Sequence, residues 1–179
     1  DELDIRFKGL LYYLSTFSEL LIGEYANLGV FQLYNDPILQ QLLNMTYTLI
    51  FSVDYHQLRA YPKTHEALYV AIEMIAVHDV GLLYLNASPS QAGGAPTGPT
   101  NGTIMTQLLL LLRQGLRSSR VRITCCSATA LDKIVSHQLE KLLRRRNSPP
   151  TVILDASHQP ILMAIMFDLF DVLLNDRDN

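Results

Sequence analysis

Apolar residues recur along this chain at spacings of three and four, with no sustained apolar/polar alternation of the kind a half-buried strand requires; the pattern predicts an all-α fold. The clearest case is 118–146, which contains no Gly or Pro. Ile123, Ala130, Ile134 and His137 fall near one face there, and Leu131, Val135, Leu139 and Leu142 widen it into a core-facing stripe. A first helix is expected over about 4–24, turning Ile5, Leu10, Tyr13, Leu14, Phe17, Leu21 and Ile22 inward. The connector 25–35 is apolar enough to pack down. Asp36-Pro37 then reads as a helix start, an acidic cap before a ring that fixes φ. The helix it opens runs to about Ser52, lined by Ile38, Leu42, Met45 and Leu49 and supplemented by Leu39, Leu43 and Ile50.

After a short turn at 54–60, a third helix begins at Pro62 and lasts to about His78, burying Leu68, Ile72, Ile75 and Ala76. Residues 80–85 extend it or form a separate turn. The segment 87–102 changes character: Gly, Pro, Ser, Thr and Ala leave nothing to bury, and a mobile surface loop is expected. A fourth helix, 103–117, carries Ile104, Leu108, Leu111 and Leu112; Pro149-Pro150 stops the fifth; a sixth follows over 160–174 with Ile161, Ile165, Leu169, Val172 and Leu173 inward. Odd-numbered helices start near Asp4, Pro62 and Ser119, at intervals of 58 and 57 residues. That regularity suggests three antiparallel hairpins, 4–53, 62–117 and 119–175, laid side by side as a HEAT-repeat α-solenoid within one segment of a longer array.

Composition fits a packed domain: 49% hydrophobic and 17% charged in 179 residues. Charge is distributed in blocks, net −6 over 1–112, +7 over 113–146 and −4 over 147–179, within a total of −3. So modest a total argues against wholesale nucleic-acid binding. No apolar run reaches the roughly 18 residues needed to span a bilayer, and the acidic 1–4 stretch lacks the character of a secretory signal. Cys125 and Cys126, adjacent on a helix, cannot pair with each other without distortion; they read as small buried hydrophobes in a reduced, intracellular compartment. The glycosylation triplets at Asn44, Asn86 and Asn101 are accordingly discounted.

Catalytic and metal-binding patterns are missing. His56, His65, His78, His137 and His158 show no His-Glu-x-x-His spacing and read as surface or capping residues. Asp168 and Asp171 lack the Glu-x-x-His partners of bundle metal sites, no serine sits in a nucleophile elbow, and the Gly-rich segment lacks the Gly-Lys-Ser/Thr ending of a phosphate loop. Neither an enzyme nor a cofactor is expected. What remains is an interaction surface: Arg113, Arg117, Arg120, Arg122, Arg144, Arg145 and Arg146 suit an acidic protein or RNA, since guanidinium groups pair with carboxylate and phosphate. The competing reading is a solvated face neutralised by acidic neighbouring hairpins, with the last three arginines serving the helix dipole.

Lys8-Gly9, the connector run from Gly29 to Tyr34, Tyr61-Pro62-Lys63, Cys125-Cys126 and the run from Leu131 to Val135, taken in that order and spacing, resemble the C-terminal part of exportin-7-type karyopherins of the importin-β superfamily. The resemblance covers nearly the whole chain and departs at 87–102 and 147–157. It implies a fragment of a HEAT-repeat receptor that binds Ran-GTP and protein cargo, meets nucleoporins, and shuttles between nucleus and cytoplasm through the nuclear pore. In that family the principal Ran contacts lie in N-terminal repeats, so no contact residue is carried over to this segment. The alternative from another class is a HEAT-like scaffold in a static complex without Ran dependence.

Overall fold

The computed structural model describes residues 2–23, 28–34, 36–78, 80–83, 101–144, 162–167 and 170. These are helical or in turns, with no strand among them, so the fold is all-α and of the helical-repeat solenoid class. The helices are α1 (Glu2–Ile22), α2 (Leu28–Leu33), α3 (Pro37–Phe51), α4 (Tyr55–Leu58), α5 (Pro62–His78), α6 (Asn101–Leu116) and α7 (Val121–Arg144), with a 3₁₀ turn at Val80–Leu83. Two compact units divide at Pro89/Ser90.

In the first unit α1 lies against α5, and the two run in the same direction. The Tyr61 hydroxyl donates to Asp4 Oδ1 at 2.6 Å, and the Thr64 hydroxyl donates to the Phe7 carbonyl at 3.3 Å. Both pairs are separated by 57 residues, one short of the 58 read from the starts of these two helices. Phe7 and Tyr61 stack at 4.2 Å between ring centres, sealing the end of the contact. Between them α1 and α5 bury Phe7, Leu14, Phe17, Leu68, Tyr69, Ala71, Ile72 and Ile75. At about 25 cal/mol per Å² of apolar area removed from water, such a face outweighs the weak helix propensity of its aromatics.

Helix α3 starts where the Asp36-Pro37 pair predicts. Asp36 has extended φ/ψ of −71° and 123°, and its carboxylate accepts the Ile38 N–H at 2.9 Å, satisfying one of the donors a helix start leaves open. Asp54 repeats the device for α4, accepting from the His56 N–H. The buried face of α3 keeps the expected Leu39, Leu43 and Ile50 and adds Thr46 and Tyr47, while Ile38 and Met45, also expected inside, are 58% and 55% exposed. This helix is apolar on nearly every side, so the sequence offered two phases one residue apart, and packing chose the one holding Tyr47. Thr46 is tied both ways: its hydroxyl donates to the Leu42 carbonyl at 2.8 Å, which leaves Tyr13 to donate to Thr46 Oγ1 at 2.7 Å.

Other expectations are also corrected. Ile5 and Ile22 are exposed at 74% and 49%, because α1 turns Phe7 inward instead. The 25–35 connector contains a helix, α2, and does not pack down throughout: Leu33 and Tyr34 are 78% and 77% exposed. His65 is buried rather than superficial, edge-on to Tyr55 and Tyr69 with ring centres 5.2 and 5.4 Å away. Burial holds the Tyr47 and Tyr69 hydroxyls well above the ordinary tyrosine range, Tyr55 adding to the effect at Tyr69; the hydrogen bond to Asp4 raises Tyr61. The Tyr47 hydroxyl meets no hydrogen-bond partner among the described residues.

In the second unit α6 packs on α7 through Ile104, Met105, Leu108, Leu109 and Leu112 on one side and Ile123, Cys126, Ala130, Leu131 and Ile134 on the other. Val135 and Leu139 are exposed, so the stripe of α7 is narrower than the sequence suggests. Of the two cysteines only Cys126 is buried; Cys125, one residue and about 100° round the helix, faces solvent. Helix α6 begins at Asn101, inside the segment expected to be a loop; 87–100 lies outside the described residues, as do 147–160, Asp168, Asp171 and His158. Residues 162–167 are helical, and Ile165 is buried as its spacing predicts.

Candidate protein-interaction surface

The predicted arginines do not form one patch. Arg113 and Arg117 stand at the end of α6, Arg120 in the turn and Arg122 at the start of α7, four guanidinium groups within ten positions of one corner. Arg144 ends α7, and Arg145 and Arg146 lie outside the described residues. At 1.5 Å per residue, the backbone of Arg144 is about 33 Å from that of Arg122. Arg122 and Arg144 therefore cannot meet one small ligand together.

The corner itself is held by hydroxyls. Gly115 and Leu116 close α6 as buried residues, and the Ser118 N–H donates to the Gly115 carbonyl at 3.0 Å. Ser118 Oγ then accepts the Arg120 N–H at 3.3 Å, a cap that starts the next helix. Thr124 reaches back from the first turn of α7, its hydroxyl 3.1 Å from the Ser118 carbonyl and 3.3 Å from that of Arg120. With the turn fixed this way, Arg117 and Arg122 project as exposed side chains, while Arg113 and Arg120 are half-buried. Arg113 in the last turn of α6 also suits the negative helix pole, so the dipole role foreseen for the far arginines operates at this one.

No carboxylate occurs between Val80 and Leu131; α7 carries its two, Asp132 and Glu140, beyond that point. Val121 stands next to Arg122 with 77% exposure, adding an apolar element. Among the described residues no group of three His, Cys, Asp or Glu side chains is placed to hold a metal ion, and no helix is long and apolar enough to cross a membrane.

Sequence reasoning missed a cleft of about 220 Å³ in the first unit. Ile5, Arg6, Gly9 and Tyr13 of α1 line one side, and Leu49, Ser52, Asp54 and Gln57 the other. Its signal was present: a lone glycine inside a helical pattern marks close approach or open space. Here it is open space, with nothing within 4 Å of where a Cβ would stand on Gly9.

Two helices packed in parallel 57 residues apart in sequence, within an all-α chain, are the mark of the helical-repeat class. Comparison with known proteins makes this specific. The chain is 24% identical over 173 residues to exportin-7 of Dictyostelium discoideum, covering 95% of this chain and 15% of that protein. It is 30% identical over 157 residues to Ran-binding protein 16 of Drosophila melanogaster and 28% over 151 residues to exportin-7-B of Xenopus laevis, covering 87% and 82% of this chain. The chain is an exportin-7-like relative, spanning about an eighth of the length of the curated relatives it matches. No family model and no solved structure matches it. These relatives are named for export and Ran binding, not for catalysis.

Proposed function

We propose that this chain is a segment of a nuclear export receptor that binds Ran-GTP together with protein cargo, meets nucleoporins, and carries the cargo through the nuclear pore between nucleus and cytoplasm. The observation that supports the reading most is the agreement of two independent features. Similarity to exportin-7 and Ran-binding relatives runs along most of the chain, and α1 packs on α5 in the register of a tandem repeat. Within this reading the hairpins 4–53, 62–117 and 119–175 are consecutive repeat units, and the arginines form part of a protein-binding face.

The mechanism follows from stacked units that touch only their neighbours. Small rotations at each contact add into a change of curvature, so a ligand that fits one curvature shifts the population toward it. Ran-GTP and cargo then assist each other through the free energy separating two arch shapes, typically 1–3 kcal/mol, or roughly 5–150-fold in affinity. Cargo affinity of the full-length protein carrying this segment, measured with Ran loaded with GTP or with GDP, tests the reading. Tighter cargo binding with the GTP form is expected; equal affinities remove the export reading and leave a static scaffold.

A further inference from the structure

We propose that the cleft between α1 and the α3–α4 turn of the first unit seats the indole ring of a tryptophan carried by a partner protein. Its volume of about 220 Å³ sets the class of occupant. An apolar cavity of about 150 Å³ takes a benzene ring, and scaling from six ring atoms to the nine of an indole asks for about 225 Å³. Pockets for whole small molecules run from about 300 to 1,000 Å³, so this cleft suits one side chain whose backbone stays outside. Leu10, Leu49 and Val53 supply apolar wall, and Gly9 leaves the space open, with nothing within 4 Å of where a Cβ would stand. Ile5 lines the cleft and is 74% exposed, so it can also meet the residues beside the tryptophan.

Two polar features favour indole over a plain hydrocarbon ring. Arg6 lines the cleft, is exposed, and makes no hydrogen bond or ion pair with another described residue. Neither Glu2 and Asp4 on its own helix nor Asp54 across the cleft pairs with it; Asp4 accepts from the Tyr61 hydroxyl and Asp54 from the His56 N–H. A guanidinium with that freedom lies readily on an aromatic face, and indole is the strongest such partner. Indole also brings one N–H that needs an acceptor once buried, and Asp54 and Gln57 put oxygens on the opposite wall. A phenyl ring would underfill the space and bring no donor. The proposal concerns this cleft alone and does not rest on the export reading.

The chain contains no tryptophan, so a tryptophan peptide reports its own binding by fluorescence. The probe is Ac-Leu-Ala-Trp-Ala-Leu-amide, titrated with the full chain; a saturable blue shift is expected as its ring leaves water. The same peptide with phenylalanine in place of tryptophan, used as a competitor, should bind at least about threefold more weakly. N-acetyltryptophanamide, which has the ring without the flanking residues, should bind about tenfold more weakly. Gly9→Leu places a side chain in the cleft and should lower peptide affinity by about tenfold or more, and Arg6→Gln by about threefold or more. Lys63→Gln, exposed and outside the cleft lining, should change it by less than about twofold. Should Gly9→Leu unfold the first unit by circular dichroism, Arg6→Gln reads the same site through an exposed side chain. The proposal is overturned if the fluorescence does not shift, if the phenylalanine peptide or N-acetyltryptophanamide binds as tightly as the probe, if Lys63→Gln weakens binding as much as Arg6→Gln, or if Arg6→Gln or a folded Gly9→Leu binds as the parent does.

Discussion

The described residues of 1–89 and of 90–179 are both mainly helical, but the two units are assembled from different chemistry. The first unit has a net charge of −6 and all nine tyrosines; the second has a net charge of +3, no tyrosine, and both cysteines. In the first, hydroxyls cross between helices: Tyr61 to Asp4, Thr64 to the Phe7 carbonyl, Tyr13 to Thr46. In the second, the Ser127 and Thr129 hydroxyls return to carbonyls of their own helix, and α6 meets α7 through aliphatic side chains. Directional bonds fix a register to a single residue, whereas aliphatic surfaces fix it by shape. The first unit should therefore be the one whose stability depends on hydroxyl chemistry.

Alkali is the strongest way to break that difference. Folding raises Tyr47 and Tyr69 through burial and Tyr61 through its bond to Asp4. A raised folded value means that the native state holds its protons when the unfolded chain has begun to lose them. The stabilisation is complete below the unfolded tyrosine value of about 10 and declines as pH rises beyond it. Tyr47 and Tyr69 together should withdraw about 3 kcal/mol per pH unit above that point. Unfolding followed by tyrosine absorbance should shift steeply to lower denaturant there. Unfolding followed by a fluorophore on exposed Cys125 should shift much less, and parallel shifts would break the comparison.

A smaller contrast separates two buried hydroxyls. Thr46→Val keeps the shape of a fully buried residue but deprives the Tyr13 hydroxyl of its acceptor, at a cost of about 1 kcal/mol. Ser127→Ala, also fully buried, removes a hydroxyl bonded only within its own helix, and should change stability by less than about 0.5 kcal/mol. Denaturant midpoints at unchanged slope measure both. Equal costs would mean that the cross-helix bond contributes nothing special to the first unit.

The parts legible in the sequence were those fixed locally. The Asp36-Pro37 start, the α5 face of Leu68, Ile72, Ile75 and Ala76, and the repeat interval all follow from residues near one another in the chain. What failed depended on a distant partner. α3 has apolar residues on both sides of its true face, so only packing could leave Ile38 and Met45 outside while Leu39, Leu43 and Ile50 went in as expected. His65 needed Tyr55 and Tyr69 around it before its burial made sense. The arginines were identified by type, but the separation of Arg122 from Arg144 follows from the length of α7, which charge counting ignores.

Gly9 gives the finest test, because it belongs to the unit held by directional bonds yet makes none of the three cross-helix hydrogen bonds named above. It sits in the middle of α1, in ordinary helical backbone, at the edge of the cleft. A glycine there loses more backbone freedom on folding than alanine would, a penalty of about 0.5–1 kcal/mol. An added methyl would meet nothing within 4 Å. Gly9→Ala should therefore stabilise the first unit by that amount, raising its melting temperature by about 2–8 °C, and leave the Cys125-monitored transition of the second unit where it was. Loss of stability instead would mean that α1 must come closer to another surface at this point than the open cleft suggests, and that the glycine is kept for contact rather than tolerated.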